Sequence, residues 1–178
     1  APNVVQGIIP LGTSMDNESQ RSRDLGCWDG IEFCTPSIEQ LSEPVGDDWV
    51  VPTEFVDAVL GAGLGENVSD AERAFWHKTH QENYVGDEGR KRLLISTINL
   101  RDRDGLHARL SGITCPVLWL QGTADAVYSV ANAEEEITMF SHSASAELRV
   151  IEGGQHFLSA SDPEVVNSAA VNFIRQWA

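Results

Sequence analysis

Cys115-Pro116-Val117-Leu118-Trp119-Leu120-Gln121-Gly122-Thr123-Ala124-Asp125 is the stretch that decides the fold. Its apolar core is continuous rather than alternating. That is the pattern of a strand covered on both faces, as strands of parallel sheets are. The run stops in a glycine-containing turn that carries an aspartate. Downstream, residues 131–140 read as a helix, and Glu147-Leu148-Arg149-Val150-Ile151 alternates like a strand nearer the sheet margin. A second glycine-rich turn follows, Glu152-Gly153-Gly154-Gln155-His156-Phe157. The chain closes on a well-marked helix, with Asp162 at the N-cap, Pro163 at the first helical position, and Val166, Ala170, Phe173 and Trp177 at helical spacing. Strand, helix, strand, helix implies right-handed crossovers and an α/β sheet.

Upstream, Gly7-Ile8-Ile9-Pro10-Leu11 reads as one further strand ending at Gly12-Thr13. The long middle carries helix signals and no convincing strand. Ser69 with Glu72 is a capping box, and Phe75, Trp76 and Tyr84 follow on an apolar face. Thr53 is expected to cap a short helix presenting Phe55, Val56, Val59 and Leu60 and stopped by Gly61. Asp87 is expected to start another that buries Leu93, Leu94 and Ile98. Short helices inserted between strands suggest a lid. The expected organisation is a core strand in 1–13, a helical cap in 14–110, and two core strands with flanking helices in 111–178. In all this is an α/β fold with three parallel strands.

The 178 residues suffice for one domain that buries about two-thirds of its unfolded surface. Composition is that of a globular chain, 42% hydrophobic and 22% charged. No apolar run approaches the ~18 residues of a membrane span. Twelve Lys and Arg against 27 Asp and Glu give a net charge of −15, which argues against nucleic acid and anionic lipid as partners. The start, Ala1-Pro2-Asn3, has neither an initiator Met nor the basic and apolar pattern of a signal peptide, so a processed, excised or truncated start is expected. Three cysteines, Cys27, Cys34 and Cys115, are an odd count that points to reduced thiols in the cytoplasm. A Cys27–Cys34 bridge and a secreted setting stay open alternatives.

In open α/β sheets, reactive groups gather at the C-terminal ends of the strands. Both strands of the last third end in an ionisable residue, Asp125 and His156. Such a pair suits activation of a hydroxyl or thiol, the His taking the nucleophile's proton while the Asp fixes its tautomer and stabilises the imidazolium.

Gly105-Leu106-His107-Ala108-Arg109-Leu110, then Ile113-Thr114-Cys115-Pro116-Val117-Leu118 and Gly122-Thr123-Ala124-Asp125, resemble the segment around the seventh strand of α/β-hydrolases. Gly153-Gly154-Gln155-His156-Phe157 resembles the loop after their eighth strand, and Val4-Val5-Gln6-Gly7-Ile8-Ile9 their sixth. The resemblance implies that Asp125 is the triad acid, His156 the triad base, and 14–110 the cap. It departs from the family where the nucleophile should be. No G-x-S-x-G elbow, and no Cys or Asp equivalent, is present, and neither is the turn after the third strand that supplies an oxyanion donor. Roughly 100 residues of a whole domain of this fold are expected to be missing upstream. The chain alone is therefore expected to be nearly inert.

By the resemblance the intact protein hydrolyses a small apolar ester or lactone with no metal or organic cofactor. Esterases and enol-lactonases are nearest in flavour, with epoxide hydrolase and haloalkane dehalogenase open. The competing class is a non-catalytic binding module derived from the same fold. Trp28, Trp76, Val127 and Phe157 are the expected substrate pocket. The sixth strand is expected to expose its outer edge at residues 7–11 to the missing N-terminal part or a second copy, with Pro10 blunting part of it.

Other groups read as structural. His77 and His80 share a helix face without further metal ligands. Gly61-Ala62-Gly63-Leu64-Gly65 follows a helix rather than a strand, which suits a helix stop better than a phosphate loop. Asp102 and Asp104 lack the later ligands of a calcium loop. Trp49, Phe55, Phe75 and Tyr84 are explained as well by packing among cap helices as by a pocket.

Overall fold

The computed structural model describes residues 4–65 and 68–177; the Ala1-Pro2-Asn3 start lies outside them. Among the described residues six helices precede the first regular strand: α1 (Gln20–Asp24), α2 (Gly30–Leu41), α3 (Thr53–Leu64), α4 (Asp70–Asn83), α5 (Gly86–Asp102) and α6 (His107–Leu110). Then come β1 (Val117–Gly122), α7 (Val130–Ile137), β2 (Ala146–Ile151), α8 (Leu158–Ser161) and α9 (Pro163–Trp177). Among the described residues no helix is long and apolar enough to cross a membrane.

The sheet is parallel, β1 pairing with β2 in register from Val117↔Ala146 to Gly122↔Ile151. The third expected strand is present as an extended segment at residues 7–11. It meets β1 through two isolated parallel bridges, Ile8↔Val117 and Leu11↔Leu120. Its hydrogen bonds explain the interruption. Ile8 N–H donates to the Pro116 carbonyl, Leu118 N–H to Ile8, Leu120 N–H to Pro10, and Gly12 N–H to Leu120. The parallel pattern calls for one more donor between these, at residue 10, and Pro10 has no N–H to give. The proline therefore faces β1. It does not blunt the outer edge, correcting the sequence expectation. Gly7, Ile9 and Leu11 alternate away from β1, and their backbone groups make no hydrogen bond among the described residues.

Both faces of β1 are covered. Leu118 and Leu120 pack with Ile151, Leu158, Val166 and Ala169 beneath α8 and α9. Val117 and Trp119 pack on the other face with Leu110, Ala133 and Phe140. The earlier helices keep a core of their own: Leu41, Val51, Val56, Leu60, Leu64 and Leu93, with Trp76, Tyr84 and Phe157 against it. Phe75 departs from its expected face and is 60% exposed, and Ile98 likewise faces solvent.

The capping box at Ser69 and Glu72 forms with both reciprocal bonds. Three local expectations need correction. Pro52, not Thr53, holds the cap position of α3, without a side-chain bond. That helix runs through Gly61 to Leu64, and Gly65 at φ +63° ends it. Val85 occupies the cap of α5, leaving Asp87 in the first turn. All three cysteines are unpaired thiols, so Cys27 and Cys34 form no bridge.

The two ends of the helical region converge on α7. Glu136, wholly buried, accepts from Ser14 Oγ at 3.0 Å and Met15 N–H at 2.8 Å, and contacts His107 Nε2 at 2.7 Å. Leu106 N–H donates to the Met15 carbonyl at 2.7 Å.

Candidate active site

Parallel pairing of β1 and β2 puts their outgoing turns at one end of the sheet, and backbone bonds tie the turns together. Thr123 N–H donates to the Ile151 carbonyl and Ala124 N–H to that of Gly154, both at 3.0 Å. Gly153 N–H donates to Thr123 Oγ1 at 2.8 Å. The end of the residue 7–11 segment closes on the same place through Gly12, at φ +47°. A Cβ there would sit 2.6 Å from the His156 carbonyl oxygen and 3.2 Å from Asp125 Oδ2. Only glycine meets both the left-handed backbone and the lack of room.

On this frame Asp125 Oδ2 lies 3.2 Å from His156 Nδ1. The Asp125 side chain is fully buried, and that of His156 is 21% exposed. Asp125 Oδ1 accepts from the N–H groups of Val127 at 2.8 Å and Tyr128 at 2.9 Å, while Oδ2 also accepts from Gln121 Nε2 at 2.9 Å. Two peptide N–H groups and one amide thus hold the anion in place without a cation, which lets a buried carboxylate face an imidazole. Tyr128 and Phe157 flank the imidazole at ring distances of 5.6 and 5.4 Å. Burial pushes the Tyr128 hydroxyl up to about 12, so it stays neutral at ordinary pH. Arg103 donates to that hydroxyl at 2.9 Å.

Among the described residues His156 Nε2 makes no hydrogen bond, and two cavities meet at the ring. The larger, of about 600 Å³, is lined by Leu11, Gly12, Trp76, His80, His156 and Phe157 among others. The smaller, about 110 Å³, is apolar and lined by Trp28, Phe33, Val59, Val127, His156 and Phe157 among others. All four side chains expected in the pocket, Trp28, Trp76, Val127 and Phe157, therefore border a cavity that His156 also borders. The Phe157 ring presses on α3 where Gly63 leaves space, for a Cβ there would fall 2.2 Å from the ring.

Sequence reasoning missed Gln121 and the placement of His80 in the larger cavity. The signal for Gln121 was present: an amide closing an unbroken apolar strand. His80 and His77 share no ligand geometry, since His80 Nδ1 bonds the Trp76 carbonyl and His77 sits 3.6 Å from Asp57. A separate group, Asp16, His107 and Glu136, brings three ligand-type atoms within 4.8 Å of one another. It fits a cation poorly. Arg21 already stands 3.2 Å from Asp16 Oδ2 and 4.0 Å from Glu136 Oε1, and every carboxylate oxygen has a donor. The group is an ion-pair clasp.

No protein-family model matches the chain, and no curated protein matches it in sequence. Solved structures do. A thermophilic esterase from Thermogutta terrifontis superposes with TM-score 0.73 at 16% identity, over 98% of this chain and 57% of its own. An esterase from Exiguobacterium antarcticum gives TM-score 0.73 at 18% identity, over 96% and 57%. A bromoperoxidase from Bacillus anthracis gives TM-score 0.69 at 16% identity, over 96% and 58%. The chain spans less than two-thirds of the length of these proteins. Two parallel strands with a third segment bridged to them, helices on both sheet faces and this extent of superposition give one conclusion: the chain has the fold of the C-terminal part of an α/β-hydrolase.

Proposed function

We propose that this chain is the C-terminal part of a hydrolase of a small, apolar ester or lactone, working through a nucleophile-His-Asp triad whose nucleophile lies in an N-terminal part. The observation that carries the reading is the Asp125–His156 pair at one sheet end, its Nδ1 side held by a buried carboxylate and its Nε2 side free at two cavities. Esterases among the structural neighbours support it. In this reading His156 Nε2 takes the proton of the attacking hydroxyl or thiol and later returns it to the leaving group. Asp125 keeps the other proton on Nδ1 and stabilises the imidazolium while it lasts. The apolar cavity at Trp28 and Val127 takes the hydrocarbon part of the substrate. The N-terminal part pairs with the outer edge of residues 7–11, where Gly7, Ile9 and Leu11 offer donors and acceptors. Unpaired thiols fit a reducing, cytoplasmic setting.

The test is complementation. The chain alone should be nearly inert toward an activated acetate ester, and joining or co-expressing it with the N-terminal part should restore turnover. In the restored enzyme Asp125→Asn or His156→Ala should lower kcat by about 10⁴-fold. Brisk turnover by the 178-residue chain that survives His156→Ala would sink the assignment.

A further inference from the structure

The last side chain of strand β1, ahead of Gly122, is a buried amide rather than an apolar group. Gln121 has no solvent exposure. Its Nε2 donates to Asp125 Oδ2 at 2.9 Å and to the Tyr128 carbonyl at 2.8 Å. Its Oε1 accepts from Trp119 Nε1 at 3.3 Å. The chemistry of these neighbours fixes which end of the amide is which: two acceptors surround Nε2 and a pure donor faces Oε1, so the flipped amide would oppose all three contacts. In a dry interior each mismatch would leave a polar group unpaired. The amide is locked.

Asp125 Oδ2, the oxygen that Gln121 holds, is also the one facing His156 Nδ1 at 3.2 Å. A carboxylate oxygen that already accepts one bond is a weaker acceptor for the next, because the first donor stabilises the same negative charge. Rotation of the carboxylate is restrained as well, with Oδ1 tied to two peptide N–H groups and Oδ2 to the amide. We propose that Gln121 is a positioning residue of this site, aiming Asp125 Oδ2 at His156 and moderating the hold of the carboxylate on the imidazolium. The proposal rests on the triad reading above, yet its physical core is separate from turnover: Gln121 sets the proton affinity of His156 through Asp125. Ionisable groups placed around the imidazole include Asp125 at Nδ1, Tyr128 edge-on with the Arg103 guanidinium on its hydroxyl, and His80 across the larger cavity. Of these, Gln121 touches only Asp125 through a side-chain atom.

The experiment follows the imidazole resonances of His156 by NMR as pH is varied, in the chain itself, for wild type and three variants. Gln121→Met keeps the volume and removes the donor. The midpoint of the His156 titration should rise by about half a pH unit or more, because Oδ2 regains its full acceptor strength. Gln121→Glu, the same size and an acceptor, should raise it further. Gln121→Asn retains an amide one methylene shorter and guards against loss of folding in the other two; its midpoint should fall between wild type and Met. A residue with a merely structural role would lower thermal stability and leave the midpoint in place. Folded variants whose midpoints all stay within about 0.2 unit of wild type overturn the proposal. Turnover decides the other question: a complemented enzyme that never hydrolyses esters refutes the hydrolase reading and leaves the titration result standing.

Discussion

Glu136 is a carboxylate with no solvent exposure. Such a group must find donors within the protein, and it has Ser14, Met15 and His107. Removing the imidazole with His107→Ala would leave Oε1 with the Ser14 hydroxyl and, at 4.0 Å, the Arg21 guanidinium. The expected loss is about 2 kcal/mol, a drop of about 4–8 °C in melting temperature for a chain of this size by thermal denaturation. Arg109→Ala is the contrast. Its pair with Asp104 is exposed on both sides, and its loss should stay under about 0.5 kcal/mol. Glu136 was not legible in the sequence, and the reason is physical. Glu134-Glu135-Glu136 reads as a solvated helix face, and only the register of α7 against the sheet turns the third inward. Asp125 and His156 were legible because each follows a strand in a glycine-containing turn, a local pattern that fixes position without tertiary knowledge. Gln121 carried a local signal too, but its partners depend on a turn four residues on.

Among the elements, α5 shows how a first-turn acid works without capping. Asp87 accepts from Arg90 Nε at 2.7 Å and Val45 N–H at 3.2 Å and pairs with Lys91 at 3.0 Å, while Arg90 also reaches the Leu41 carbonyl at the end of α2. The Arg90 hydrogen bond first, then Lys91 and the Val45 N–H, hold the Asp87 carboxyl well below the usual carboxylate range. The folded value lies below the unfolded one of about 4, so this stabilisation is complete above that pH and drains away as pH falls toward the folded value. Unfolding by denaturant at stepped pH should show Asp87→Asn less stable than wild type near pH 6, with the gap narrowing progressively as pH falls below about 4. Helix α5 existed in the sequence reading with its start one residue late, because Gly86 at φ +63° admits a turn that Asp87 would not. The strand at residues 7–11 was legible from its apolar run. Which side of it Pro10 would face was not, since that depends on the phase of the ladder against β1.

For the molecule as a whole, the outer edge of residues 7–11 is left unpaired among the described residues. Beside it Gln6, Gly7, Ile9, Phe173, Ile174 and Trp177 line a cavity of about 280 Å³, and Val4, Val5 and Ile174 are exposed. An uncovered edge flanked by apolar surface is expected to associate. Ile9→Pro removes a donor on the outward side, where β1 asks nothing of residue 9. The Ile9 side chain packs against the cluster beneath α8 and α9, so some thermal stability is expected to go with it, but concentration-dependent self-association, or capture of the N-terminal part, should weaken by tenfold or more in sedimentation, on the order of one strand hydrogen bond. At the other end of the scale, Met15 and Leu106 are neighbours by a single 2.7 Å bond, and both sides of that join are moored to α7. Everything between them is an excursion that leaves and returns at one point. The entropy of closing such a loop grows only with the logarithm of its length, about 0.6 kcal/mol per doubling. Chain closure therefore sets little constraint on the length of the excursion, whereas its contacts with the core do: Phe157 N–H to the Gly63 carbonyl, Trp28 N–H to that of Val127, and Arg103 to the Tyr128 hydroxyl. An excursion of another length that keeps those three contacts is expected to leave the sheet and the Asp125–His156 pair in place, whatever its own shape.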